Sequence, residues 1–300
     1  MLVSIIIRTL NESKYLGELL LSIKKQEKNN FDIEVVIVDS GSTDGTLKIA
    51  EEHGCKITFI NKEDFTFGRS INIGSEFANG DILVYVSGHC IPCEKTWLKD
   101  IISPILLNDC GYSYGGQLGR DTTKYSETKI FKKYFPSKSA IPQEGFFCNN
   151  ANSAINRAVW SKYKFNEEIT GLEDLDLAKR YFMDGGKIAY VAEASVFHIH
   201  DESWHQTRRR YEREAMAMQR IMPEIHVGLF DTLRYIFVSI ISDSQDAISE
   251  RCFFNEFFGI IAFRIAQFSG AYRGNHSHRK LSKRKKENYY YPKKKYRNSL

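Results

Sequence analysis

The chain has no run of apolar residues long enough to cross a bilayer. Its longest apolar stretches, such as Phe257 to Phe263, fall far short of the roughly 20 residues a membrane-spanning helix needs. Its 6 cysteines show no framework-like spacing, which argues against a disulfide scaffold and for a reducing compartment. Met1 runs straight into "LVSIII", with no basic stretch before it and no small-residue cleavage site after it, so no secretory leader is expected. There is no internal repeat and no Gly-x-Gly-x-x-Gly fingerprint, which weakens a dinucleotide-binding reading. What is present, 42% hydrophobic and 26% charged residues in 300, suits one large globular domain or a domain with an appendage.

The net charge of +5 is an average of two unlike parts. Residues 274–300 carry ten Lys or Arg against the single acid Glu287, a net +9, which leaves the rest of the chain at −4. Such a tail, interleaved with Tyr289, Tyr290, Tyr291 and Tyr296, suits an anionic membrane surface or nucleic acid, or simply a disordered, solubilising end. The acidic body supplies no second basic surface, so nucleic acid is not an expected partner.

The first ninety residues alternate strand and helix patterns. Leu2 to Ile7 is a β-branched run, and Leu16, Leu19, Leu20 and Ile23 then recur at helical spacing. Ile33 to Val38 reads as a second strand, followed by a helix that Ser42 and Thr43 can cap and Gly54 can end. Lys56 to Ile60 predicts a strand, Arg69 to Ala78 a helix and Ile82 to Val86 a fourth strand. This alternation predicts a Rossmann-like α/β fold around a mainly parallel sheet, with ligands at the strands' carboxyl ends. The loops Arg8 to Glu12, Asp39 to Asp44 and Ser87 to Cys90 should then line one crevice. Further on, "GLEDLDLAKRYFMDGG" predicts a helix, "KIAYVAEASVFHIH" a strand and "RRRYEREAMAMQRI" a polar helix. After the break at Pro223 come two apolar helical stripes, from Leu229 to Ile241 and from Phe253 to Ile265. The expected organisation is a domain over 1–225, a helical appendage over 226–272 and a basic tail over 273–300.

Residues 34–46, "EVVIVDSGSTDGT", place an acid at a strand's carboxyl end before small residues and a helix start. That arrangement offers a ribose or base acceptor beside main-chain N–H donors. Taken alone it is equally a capped turn. Glu173 and Asp174 open a helix, where acids complement the helix dipole.

"SIIIRTLNES", "VVIVDSGSTDGT", "FGRSINIGSEFANGDILVYVS" and "GLEDLDLAKR" occur in that order. Together they resemble the family 2 glycosyltransferases of GT-A fold over roughly residues 1–215. The resemblance implies an inverting transferase that moves a sugar, rhamnose or another hexose, from a nucleotide-diphosphate donor to a hydroxyl of a surface polysaccharide or lipid-linked glycan. It implies that Thr9, Glu12 and Asp39 hold the nucleotide, with Arg69, Asn72, Ser87 and His89 also at the donor. It makes Asp174 the base, ionised beside a positive helix end, with Glu173 orienting. Asn150 and Asn152, in "FFCNNANSAINR", are candidates for sugar or acceptor contacts or for buried turn asparagines.

The chain departs from the family at Ser87-Gly88-His89, where the family carries Asp-x-Asp to hold Mg²⁺ or Mn²⁺ against the diphosphate. Two chemistries could replace the carboxylates. His89 could bind a metal with His198 or His200, since imidazole favours transition metals over Mg²⁺. Alternatively His89 could hydrogen-bond the diphosphate directly, helped by Arg208, Arg209 or Arg210. Within the family a Ser-x-His motif resembles the rhamnosyltransferase-like branch. Loss of both carboxylates also leaves open a catalytically inactive nucleotide-sugar-binding subunit. The Cys90/Cys93 pair, with no second such pair, is a weak redox or zinc candidate. The apolar stripes followed by the basic tail suggest a cytoplasmic protein held peripherally at the inner membrane face.

Overall fold

In the computed structural model, which describes residues 1–27, 30–277 and 289–290, the β-branched runs form the centre of a sheet. Strand β1 (Leu2–Thr9) buries Val3, Ile5, Ile6 and Ile7. Helix α1 (Ser13–Lys24) buries the predicted Leu16, Leu19, Leu20 and Ile23. The alternation continues with β2 (Asp32–Asp39), α2 (Thr46–Glu52), β3 (Lys56–Phe59), α3 (Phe67–Phe77) and β4 (Ile82–Ser87). Helix α3 starts two residues before the predicted Arg69, because the Thr66 side chain accepts the Arg69 N–H and caps it.

The short β5 (Cys90–Pro92), α4 (Trp97–Leu106), β6 (Tyr112–Leu118), α5 (Tyr125–Tyr134), β7 (Asn152–Asn156) and α6 (Arg157–Tyr163) follow. Then come α7 (Glu173–Met183), β8 (Ile188–His198), α8 (Trp204–Ile221), α9 (Leu229–Ser249) and α10 (Phe253–Asn275). Among the described residues the sheet has eight strands in the order β3-β2-β1-β4-β7-β6-β8-β5. The first four run parallel, β7 enters antiparallel between β4 and β6, and β5 lies antiparallel on β8. The sheet is therefore mixed, its parallel half being the one visible in the sequence.

Register places the functional loops. Thr9 pairs with Asp39 across β1–β2, and Arg8 with Ser87 across β1–β4, so three strands end at the same edge. The chain order reverses between β1 and β4, the kind of switch point where open α/β sheets bind ligands.

The described residues of 1–123 and 127–201 form one compact unit, and 124–126 with the described residues from 202 a second. Helix α8, assigned by sequence to the 1–225 domain, thus belongs with α9 and α10. The cause is a close helix pair: a Cβ at Gly270 of α10 would collide with the main-chain oxygen of Arg208 on α8. A buried pair, Arg264 Nε to Asp243 Oδ2 at 2.7 Å and Nη2 to Oδ1 at 2.8 Å, ties α10 to α9. The apolar stripes are only partly core. Phe230, Phe254 and Phe258 are 87%, 90% and 80% exposed, and Phe237, Val238 and Ile241 also face outward. No helix among the described residues is long and apolar enough to cross a membrane. The basic tail beyond residue 277 lies outside the described residues apart from Tyr289 and Tyr290.

Candidate active site

The loop after β2 is built by Asp39. Its Oδ1 accepts the main-chain N–H groups of Gly41 and Ser42, each at 2.8 Å, and its Oδ2 accepts the hydroxyls of Thr9 (2.8 Å) and Ser42 (2.5 Å). Four donors saturate an ionised carboxylate. The fully buried Asp39 therefore shapes the Ser-Gly-Ser turn, and Thr9 serves Asp39, where the sequence suggested that each faces a nucleotide. Asp44 joins the neighbouring turns by accepting from Thr46 through one oxygen and from Ser13 through the other.

At the end of β4 the chain turns through Gly88 into β5, whose Cys90 pairs with His198. The pairing extends to Ile199, whose N–H donates to the His89 carbonyl at 3.2 Å. His89, His198 and His200 thereby come together, with one ligand atom from each lying within 4.8 Å of the others. Each ring is oriented through Nδ1: His89 to Glu12 Oε1 at 3.0 Å, His198 to Gln117 Oε1 at 2.6 Å and His200 to Glu127 Oε1 at 2.8 Å. A carboxylate only accepts, so the first and third rings carry their proton on Nδ1 and, when neutral, a lone pair on Nε2. Carboxylate partners orient metal-bound histidines in this way. The donor set fits a transition-metal ion better than Mg²⁺, which prefers oxygen. Glu12, expected at the nucleotide, is a partner of His89. Gly88 permits this, since a Cβ there would meet Glu12 Cγ at 2.9 Å.

The acid pair sits in the first turn of α7. Leu172 precedes it with φ 56°, a left-handed conformation that costs a leucine about 1–2 kcal/mol and swings Glu173 and Asp174 inward. Both carboxylates are buried. Glu173 Oε1 lies 3.3 Å from Arg8 Nη1, and the Arg8 guanidinium also covers the Phe67 ring at 4.7 Å. Asp174 takes main-chain N–H bonds from Asn150 (2.8 Å, Oδ2) and Leu175 (2.7 Å, Oδ1). Burial, followed by repulsion from Glu173, raises its pKa from 3.8 to about 7, against the pull of those two N–H groups and of Arg8. A carboxyl poised there can take a proton at neutral pH.

Other expected contacts have structural tasks. Asn72 donates to the Phe165 carbonyl and Glu167 Oε1, and accepts from Trp160 Nε1 and the Phe165 N–H, so its amide is fully used inside the protein. Asn152 is likewise spent on Trp97, Gly116 and Ala194. Arg69 is paired with Glu167 at 2.8 Å. Ser87 ends β4, its N–H on the Ala151 carbonyl. Asn150 gives its N–H to Asp174. Arg208, Arg209 and Arg210 lie on α8 in the second unit, where Arg210 pairs with Glu202 at 3.0 Å. Cys90 and Cys93 are free, and burial pushes both thiols up, Cys93 to about 11, so neither is a thiolate at neutral pH. The sequence placed Arg8 in a loop lining the crevice without giving it a role, and it did not reveal Gln117 or Glu127 as site residues. The register of β6 on β8 brings Gln117 beside the histidines, the start of α5 brings Glu127, and no local motif marks either.

The arrangement has counterparts among known proteins. Residues 4–163 match the family model for glycosyl transferase family 2. The chain is 25% identical over 223 residues to the O-antigen chain rhamnosyltransferase RfbN of Salmonella typhimurium, covering 70% of each. It is 31% identical over 204 residues to the O-antigen chain rhamnosyltransferase WbaN of Salmonella anatum, covering 62% of each, so the chain spans less than two thirds of that relative. In structure it is similar to the mannosyltransferase PcManGT of Pyrobaculum calidifontis, solved with GDP-mannose and Mn²⁺. The TM-score is 0.66 at 14% identity, over 92% of this chain and 88% of that one. The alternating parallel half-sheet, the acid-built turn after β2 and the buried Glu-Asp pair thus belong to a nucleotide-sugar-dependent transferase of GT-A fold, and the chain is a member of glycosyl transferase family 2.

Proposed function

We propose that the chain transfers a deoxyhexose, rhamnose by preference, from a dTDP- or UDP-linked donor to a hydroxyl of a growing bacterial surface glycan, with inversion. The observation that carries this reading is Asp174: a buried carboxyl, held by two main-chain N–H groups, whose pKa lies near neutrality. The likeness to two O-antigen rhamnosyltransferases supports the sugar and the acceptor class.

Asp174 takes the proton of the acceptor hydroxyl as that oxygen attacks the anomeric carbon from the face opposite the diphosphate. The bond from that carbon to the diphosphate oxygen breaks, and the nucleoside diphosphate leaves with the electron pair. Glu173, paired with Arg8, sets the field at Asp174. His89, His198 and His200 would hold a divalent transition-metal ion, which would supply positive charge to the leaving diphosphate. The exposed Phe230, Phe254 and Phe258, with the +9 tail, support peripheral docking on an anionic leaflet, where lipid-linked acceptors are assembled.

Calorimetric binding of UDP and dTDP, with EDTA or with Mn²⁺, to wild type and His89→Ala tests the donor side. Nucleotide binding that requires both the ion and His89 supports the reading. Absence of binding to either nucleotide under all conditions would sink it.

A further inference from the structure

Tyr112 is fully buried in the middle of the sheet, yet its hydroxyl is not spent on the core. It donates to Asn150 Oδ1 at 2.6 Å, and the Ser153 hydroxyl donates to the same oxygen at 2.8 Å. Asn150 is itself 2% exposed, and its Nδ2 has no hydrogen-bond partner among the described residues. An orphaned buried donor costs stability. A side chain that accepts this cost in order to clamp one oxygen with two hydroxyls is fixing the position of its own backbone. The main-chain N–H of the same residue donates to Asp174 Oδ2 at 2.8 Å. The flanking peptides are pinned too, with Ala151 N–H on Asn149 Oδ1 and Asn152 N–H on the Asn149 carbonyl.

We propose that Tyr112 is a positioning residue for Asp174, acting through Asn150: its hydroxyl fixes the turn that aims the Asn150 N–H at the carboxylate. This rests on the reading of Asp174 as the base. The N–H bond favours the ionised form, so Tyr112 keeps part of the population deprotonated and oriented for proton uptake. The charged neighbours of Asp174 are Glu173 on its own helix and Arg8 from β1. Tyr112 from β6 and Cys148 from the turn also face it, and burial keeps both of them neutral.

The full-length chain, labelled with ¹³C at aspartate carboxyls, allows Asp174 to be titrated by NMR without any substrate, its resonance being assigned by its loss in Asp174→Asn. In Tyr112→Phe the midpoint should rise by roughly half a unit or more. Ser153→Ala, which removes the other hydroxyl on the same oxygen, should move it the same way and serves if the first variant fails to fold. Tyr85→Phe is the control: it removes an equally buried hydroxyl that bonds Ser75, and it should leave the midpoint in place. An unmoved midpoint in both Tyr112→Phe and Ser153→Ala, or an equal shift in Tyr85→Phe, overturns the proposal. Retained sugar transfer by Asp174→Asn would instead overturn the base assignment while leaving the titration to report on positioning.

Discussion

His89 and His198 stack with ring centroids 5.2 Å apart and planes 22° from parallel, although they stand 109 positions apart in the chain. The antiparallel seating of β5 on β8 produces this contact, with Cys90 opposite His198. It answers the oddity of a Ser-Gly-His sequence where carboxylates are usual. The carboxyl groups lie behind the imidazoles, on Glu12 and Glu127.

Metal binding should therefore depend on those carboxylates as well as on the rings. Glu127→Gln is expected to weaken Mn²⁺ or Zn²⁺ binding about 10–100-fold, and His200→Ala more, by calorimetry on chelator-stripped protein. Mg²⁺ should bind far more weakly than either ion. Wild-type affinity retained in both variants would remove the metal from this cluster.

Asp174→Asn should lower turnover by about 10²–10⁴-fold while leaving nucleotide affinity within a factor of two. In wild type the rate should rise with pH through about 7, as the carboxyl ionises. A rate that falls across that range would assign the proton transfer elsewhere.

The same substitution should stabilise the fold. The Asp174 pKa is higher in the folded than in the unfolded chain, about 7 against 3.8, so between these values the unfolded state binds fewer protons. Wild-type stability must then fall as pH rises through that window and level off above it. Asp174→Asn should therefore stabilise the chain more at pH 8 than at pH 4, measured by urea unfolding at both.

Gly88→Ala should cost about 1–3 kcal/mol, because the added methyl must displace the Glu12 side chain. Displacing Glu12 also releases His89, so metal affinity should drop with stability. Urea titration and calorimetry on one preparation would reveal whether the two losses go together.

Replacing Phe254 and Phe258 by serine should reduce cosedimentation with anionic vesicles several-fold without shifting the unfolding midpoint, since both rings are almost fully exposed. Deleting residues 278–300 should make the remaining binding insensitive to salt. Vesicle binding unchanged in both variants would refute peripheral docking.

The parallel half of the sheet was legible in the sequence because each of its strands is a β-branched run followed by a clear helical period. Residues 91–171 were not. Strand β5 is three residues long, and β7, "NSAIN", is buried while polar because Asn152 and Ser153 find their partners inside. The motifs singled out Asp39, His89 and Asp174 from the chain alone. They did not reveal that Asp39 is consumed by its own turn, or that Glu127 reaches His200, since such pairings depend on tertiary register.

The turn after β2 has a thermodynamic consequence. Its main-chain and hydroxyl donors are already tied to one carboxylate, so the conformational entropy of ordering that loop is lost when the chain folds and not when a ligand arrives. Loosening Asp39, as in Asp39→Ala, would move that loss into the binding step. Nucleotide affinity would fall, chiefly through a less favourable entropy of association, even where every direct contact survives.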